Sequence, residues 1–369
     1  MEGALIWLIY GRARGVGRQR LAALMEHAPD AHSAWNLRQP ELAGLPGFNP
    51  GVAEALVAIR KDPDARREAE RDLERARAAG LRLLLYHEPH YPAKLRQIPD
   101  PPPVLYQAGP WEPDQRPAIA IVGTRKPTAY GLAVAERLGR ELSQLGADVI
   151  SGMARGIDSA AHRGALSEGG TSVAVLGGGA DLCYPREATT IYRAMKERGG
   201  ILSEQPPGTE PRRENFPERN RIISGLCDGV IVVEAGERSG TLITVTHALS
   251  QGREVFAVPG PITSPMSVGP HRLIREGACL VESGRQVLEE LGFVAPAEGP
   301  IHRSLPSLSP EEQRLLGWMG HTPRRPDELA EACGLQAAEV QATLTMLEIR
   351  GAVRRLPGGE YLRTIAGGD

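Results

Sequence analysis

Residues 118–131 read AIAIVGTRKPTAYG. Five apolar residues stop at Gly123, the basic pair Arg125-Lys126 follows, and helix-compatible sequence runs from 131 to 145. An apolar run without polar alternation reads as a strand buried on both faces, as in a parallel sheet covered by helices. The pattern recurs. Apolar strand candidates lie at 148–151, 172–176, 200–203, 229–234, 254–258 and 279–282, with helical stretches at 158–167, 188–198, 219–226 and 241–251. Alternating strands and helices predict an α/β fold: a doubly wound, mostly parallel sheet with right-handed crossovers.

Working outward, residues 81–86 read as a further strand, and Pro101–Pro103 force an extended run before 104–106. Residues 62–79 are a Glu/Arg-rich helix expected to be solvated. Residues 1–75 predict a domain of short helices, of helix-hairpin-helix or SAM-like type. Two glycine-hinged turns there, Gly15-Val16-Gly17 and Gly44-Leu45-Pro46-Gly47, each precede a helix. Such tips either meet a phosphate through free amides or are plain bundle turns, and the sequence leaves both open. Residues 80–292 form the predicted sheet domain. A Pro/Ser-rich linker occupies 293–309, and 310–369 suggest three helices and a hairpin turning at Gly358-Gly359, a winged-helix-like domain.

The chain has 369 residues, 41% hydrophobic and 24% charged, with a net charge of −2. These values suit a soluble protein of two or three domains. No apolar run approaches a membrane span, and the N-terminus lacks a basic region and cleavage site. Cys183, Cys227, Cys279 and Cys333 stand singly with no metal or redox spacing. Free thiols in a cytoplasmic setting, with no metal and no membrane, are expected. A nucleic-acid site on this near-neutral chain has to be a local basic patch.

Five loops after strands carry candidate chemistry. The first holds Gly123, Thr124, Arg125 and Lys126; it has neither the G-x-G-x-x-G of a dinucleotide site nor a P-loop. The second, SGMARGIDSAAH (151–162), projects Arg155 and places Asp158 to cap a helix. Its His162 is more economically read as structural than catalytic. The third, GGGADLCYPR (177–186), offers Tyr184 for stacking and Arg186 for phosphate, or else a flexible turn with a core tyrosine. The fourth, FPERNR (216–221), opens a helix with Phe216 in the loop beside Arg219, Asn220 and Arg221; Phe216 either stacks on a base or packs beneath the loop. The fifth, VEAGERSGTLIT (233–244), brings Ser239, Gly240 and Thr241 to a helix start whose amides could seat a phosphate. Following strands of one sheet, the loops are expected to gather Arg125, Lys126, Arg155, Arg186, Arg219, Arg221 and Arg238 on one rim.

These motifs resemble the DNA-processing protein A (DprA, or Smf) family. The resemblance runs in order through DPPPVLY (100–106), IVGTR (121–125), SGMARGIDSAAH, YPRE (184–187), FPERNRIISGL (216–226), EAGERSGTLIT (234–244), GREVFAVPG (252–260) and HRLIREGACLV (271–281). It implies an extended Rossmann-like fold that binds single-stranded DNA without sequence preference and protects it. It implies loading of RecA during natural transformation and recombination by a homodimer, with no catalysis and no cofactor. Arg125 matches the family's phosphate-contacting arginine, and Arg155 stands where many members carry lysine. Residues 271–291, including His271, Ile274 and Leu280, are the expected dimer interface.

Two other readings meet obstacles in the sequence. The core also resembles cytokinin-activating nucleotide phosphoribohydrolases, but Thr244 stands at the place of their catalytic acid. A winged-helix regulator is disfavoured because residues 310–369 carry seven Arg and no Lys against nine Asp/Glu.

Overall fold

Nine strands form one sheet: β1 (Arg82–Leu85), β2 (Val104–Ala108), β3 (Ala118–Val122), β4 (Asp148–Ser151), β5 (Ser172–Leu176), β6 (Gly200–Ser203), β7 (Gly229–Val232), β8 (Glu254–Ala257) and β9 (Cys279–Leu280). Their order is β1-β2-β6-β5-β4-β3-β7-β8-β9. Pairings from β6 through to β9 are parallel, whereas β1–β2 and β2–β6 are antiparallel. Every residue of β3, β5 and β7 is buried, as their uninterrupted apolar character demands. The computed structural model describes residues 2–167, 169–294, 309–319, 323–349, 352–356 and 358–363. The chain divides into two units, Met1–Ala295 and Pro296–Asp369. Most of the Pro/Ser-rich stretch at 293–309 lies outside the described residues.

In the first unit the helices are α1 (Glu2–Tyr10), α2 (Arg18–His27), α3 (Ala31–Asn36), α4 (Gln39–Ala43), α5 (Pro50–Ile59), α6 (Pro63–Ala78), α7 (Ala93–Arg96), α8 (Ala129–Gln144), α9 (Ile157–Leu166), α10 (Thr189–Arg198), α11 (Asn215–Gly225), α12 (Thr241–Ser250), α13 (Val268–Arg275) and α14 (Gly284–Glu290). α8 shows how sequence becomes packing. The Thr128 hydroxyl accepts the Gly131 amide to cap it, and Ala135, Leu138 and Leu142 form its buried face. At Gly139 and Gly164 a side chain would run into the backbone of the facing helix, so these glycines let α8 and α9 cross closely. The helix read as solvated, α6, buries Ala65, Ala69 and Ala76 on one face and pairs its buried Asp72 with Arg12.

The two N-terminal turns sit side by side. Arg20 Nε donates to Gly47 O at 2.7 Å, and the same guanidinium also donates to Gly15 O. Arg18, at the start of α2, forms ion pairs with Asp100 (3.4 Å) and Glu218 (3.3 Å), tying the hairpin to α11. The 271–291 segment divides: Leu273 and Val281 are core, whereas Leu280 is 39% exposed on β9 at the sheet edge.

The second unit packs α15 (Pro310–Met319), α16 (Pro326–Cys333) and α17 (Ala337–Ile349) with the antiparallel pair β10 (Val353–Arg355) and β11 (Tyr361–Arg363). Leu315, Leu329, Val340, Leu344 and Tyr361 make its core. α17 carries no lysine or arginine.

Candidate nucleic-acid interface

β3 and β7 are neighbours, but the chain leaves β3 toward β4 on one side and β7 toward β8 on the other. The loops beyond two such strands part and leave a crevice, the usual ligand position in an open α/β sheet. A cavity of about 690 Å³ opens there. Gly123–Lys126 form one wall, Ser239–Thr241 the opposite one, and α11 closes the side with Phe216, Arg219 and Asn220. A second cavity of about 340 Å³ adjoins it, with Arg155 and Tyr184 in its lining. Arg125, Lys126 and Phe216 line both.

Gly123 has no room for a side chain, because a Cβ would press on Ile157 at the start of α9. The adjacent Arg125 and Lys126 are exposed. Phe216 is half-buried, packed against Gly177, with the Arg125 guanidinium 4.9 Å from its centroid and the Tyr184 ring at 6.1 Å. It lies in the first turn of α11 and not in the preceding loop. Tyr184 is 49% exposed, so the reading of a core tyrosine does not hold. Arg155 is exposed and forms an ion pair with Glu187, itself exposed. Arg186 and Arg238 are exposed beside these walls but line neither cavity.

Arg219 lies in the cavity floor. It is 5% exposed and donates to Gly152 O (2.8 Å) and to Val175 O. Burial lowers its pKa to about 10, opposed by the nearby Asp158 carboxylate, so it stays charged at neutral pH. Asp158, in the same lining, is pushed up by burial and accepts the Ala154 amide at 3.3 Å. It does not cap α9 as expected: the cap position is Gly156, with no side-chain bond, and Asp158, already the second residue of the helix, ties back the loop before it.

Two expected features differ in the structure, and one residue joins the site. Arg221 is not on the rim. Its side chain is 1% exposed and bound to Asp100 (3.0 Å) and Glu204 (2.7 Å), because residues two apart on a helix point to different sides. The start of α12 is not a row of free amides: Thr241 N donates to Ser239 Oγ (3.3 Å), Leu242 N to Ser239 O (3.1 Å) and Ile243 N to Gly240 O (3.2 Å). Arg213, unmarked by any of the five loop motifs, lines the large cavity. The Arg212-Arg213 pair just before Phe216 was the available signal.

His162 is fully buried, and burial depresses its pKa to about 3. Ser172 Oγ gives its proton to Val149 O (2.8 Å), so His162 Nδ1 is the donor in the 2.7 Å contact with that oxygen. A neutral, enclosed imidazole has a structural role.

Residues 82–292 match the family model described as DNA recombination-mediator protein A, and residues 299–359 match one described as DprA winged helix domain. The chain is 32% identical to Protein Smf of Synechocystis sp., covering 97% of this chain and 98% of that one. The structure of DNA processing protein A from Streptococcus pneumoniae superposes with a TM-score of 0.67 at 35% identity, covering 77% of this chain and 97% of that one. A Helicobacter pylori DNA processing protein A, described for its single-stranded DNA binding mode, superposes with a TM-score of 0.51 at 27% identity, over 58% of this chain and 97% of that one. Crevice, strand order and loops together with these matches lead to one assignment: the chain belongs to the DNA recombination-mediator protein A family, the DprA/Smf proteins.

Proposed function

We propose that this protein binds single-stranded DNA, without sequence preference, along the crevice between the β3 and β7 loops. The observation that carries this reading is the joining of two cavities around one aromatic ring, with Arg125, Lys126, Arg155 and Arg213 among their linings. On a chain of net charge −2 this is a local patch of positive charge. Cations take the phosphates, and Phe216 and Tyr184 offer faces on which unpaired bases of any identity stack. A paired base keeps its faces stacked within the duplex and does not offer them to such a ring. The proposed contacts are Gly123, Thr124, Arg125, Lys126, Arg155, Arg186, Arg213, Phe216, Asn220, Ser239, Gly240 and Thr241, with Arg219 supporting them from below. The Helicobacter pylori relative and its described binding mode support the same ligand.

The reading extends to a cytoplasmic homodimer that protects the strand and delivers it to RecA during transformation and recombination, supported by membership of the family. No described helix is long and apolar enough to cross a membrane. Catalysis is not part of the proposal, since Thr244 occupies the cavity wall where the phosphoribohydrolase pattern has its acid. Titration of labelled oligo(dT) with the purified protein tests the reading: saturable binding that weakens with salt is expected, and no binding overturns it. Base release from nucleoside monophosphates, lost in Arg125→Ala, would replace it with the enzyme.

A further inference from the structure

We infer that Glu234, a buried acid beneath a polyanion site, is a positioning residue that holds Arg125 and Lys126 at the rim; the inference rests on the single-stranded DNA reading.

Glu234 lies just beyond β7 and is 2% exposed. Its backbone oxygen accepts the Thr124 amide at 2.8 Å. Its carboxylate accepts the Thr128 amide on Oε2 at 2.9 Å and the Thr128 hydroxyl on Oε1 at 2.6 Å. The segment carrying both cations is therefore fastened at each end to one residue just past the neighbouring strand. Within it, Lys126 N donates to Thr124 Oγ at 3.2 Å. The space is reserved: a Cβ on Gly131 would collide with the Glu234 carboxylate. The charge sits at the start of α8, where the helix dipole favours an anion. A loop already ordered before binding avoids the entropic cost of being ordered by its ligand.

The sign of the effect separates positioning from bulk electrostatics. An acid near phosphates repels them, so a purely electrostatic account has its removal tighten binding. Positioning has it loosen.

The test is anisotropy with labelled oligo(dT) at several salt concentrations, with a thermal melt of each protein. Glu234→Ala is expected to bind about tenfold more weakly, with a salt slope shallower by about 0.7 per displaced cation. Glu234→Gln, which keeps an acceptor for Thr128 but loses the charge, should stay within about threefold of wild type. In an Arg125→Ala/Lys126→Ala background, Glu234→Ala should add less than about twofold, because the residue acts through that loop. Wild-type or tighter binding by folded Glu234→Ala, or its full loss persisting in that background, overturns the inference. Where Glu234→Ala does not fold, Thr128→Val takes its place. A loss of about threefold that vanishes in the double background supports the inference; an unchanged affinity, or a loss that persists there, overturns it. Failure of wild type to bind oligo(dT) instead removes the underlying reading.

Discussion

The Arg125 guanidinium carbon lies 4.9 Å from the centre of the Phe216 ring, and both residues line the two cavities of the crevice. Cation and ring therefore form one unit. Arg125→Ala should weaken binding to any single strand by about 1–3 kcal/mol, as loss of a charge-assisted contact does. Phe216→Ala should cost about 1–3 kcal/mol through lost stacking. The double variant should cost less than the sum, since each residue orients the other. Strict additivity in titrations of the four proteins would dissolve the unit. Arg155→Ala should weaken binding in the same general way, and wild-type affinity in both folded arginine variants would move the site elsewhere.

Arg221 should behave differently despite sitting two residues from Arg219. It is bound to Asp100 and Glu204 and nearly sealed from water. Its replacement by Ala takes this partner from Glu204 and leaves Asp100 with Arg18 alone, and should reduce stability by about 3 kcal/mol. Oligo(dT) affinity of the still-folded protein should change little. Denaturant unfolding beside a binding titration checks this; lost affinity at full stability would return Arg221 to the interface.

His162 gives a pH signature. Its folded pKa is about 3 against an ordinary 6.5, so between those values the unfolded chain binds a proton that the native protein does not. This contribution to stability is complete above pH 6.5 and falls as pH drops, by roughly 1.4 kcal/mol per unit at most. His162→Gln should show a shallower acid-side loss than wild type in urea melts from pH 7 to pH 4. Parallel curves would contradict the enclosed neutral imidazole.

Leu280 is exposed on the edge strand, so its substitution should not open the core. An exposed edge with an apolar residue invites association, and a two-fold patch around His271, Ile274 and Leu280 is the proposed contact. Leu280→Arg should remain folded, sediment as a monomer where wild type is a dimer, and bind DNA more weakly through lost avidity. A folded Leu280→Arg dimer would exclude this surface.

The sheet was legible because its central strands are buried on both faces: AIAIV and SVAVL admit few other readings. The loop cations were legible because they follow those strands directly. Arg221 was misplaced because a motif read as a line ignores the helical turn between residues 219 and 221. The α12 start was misread because whether Ser239 spends its hydroxyl on Thr241 depends on a local bend that composition does not reveal. Glu234 carries no legible role in its motif, since its partner Thr128 is over a hundred residues away.

A crevice that takes unpaired DNA should distinguish it from duplex. The most direct measurement is competition of unlabelled oligo(dT) and a duplex of equal length against labelled oligo(dT), repeated from low to physiological salt. Oligo(dT) is expected to displace the label at much lower concentration than duplex at every salt. Log affinity is also expected to fall linearly with log salt through counterion release. Equal displacement by duplex and single strand would contradict this preference.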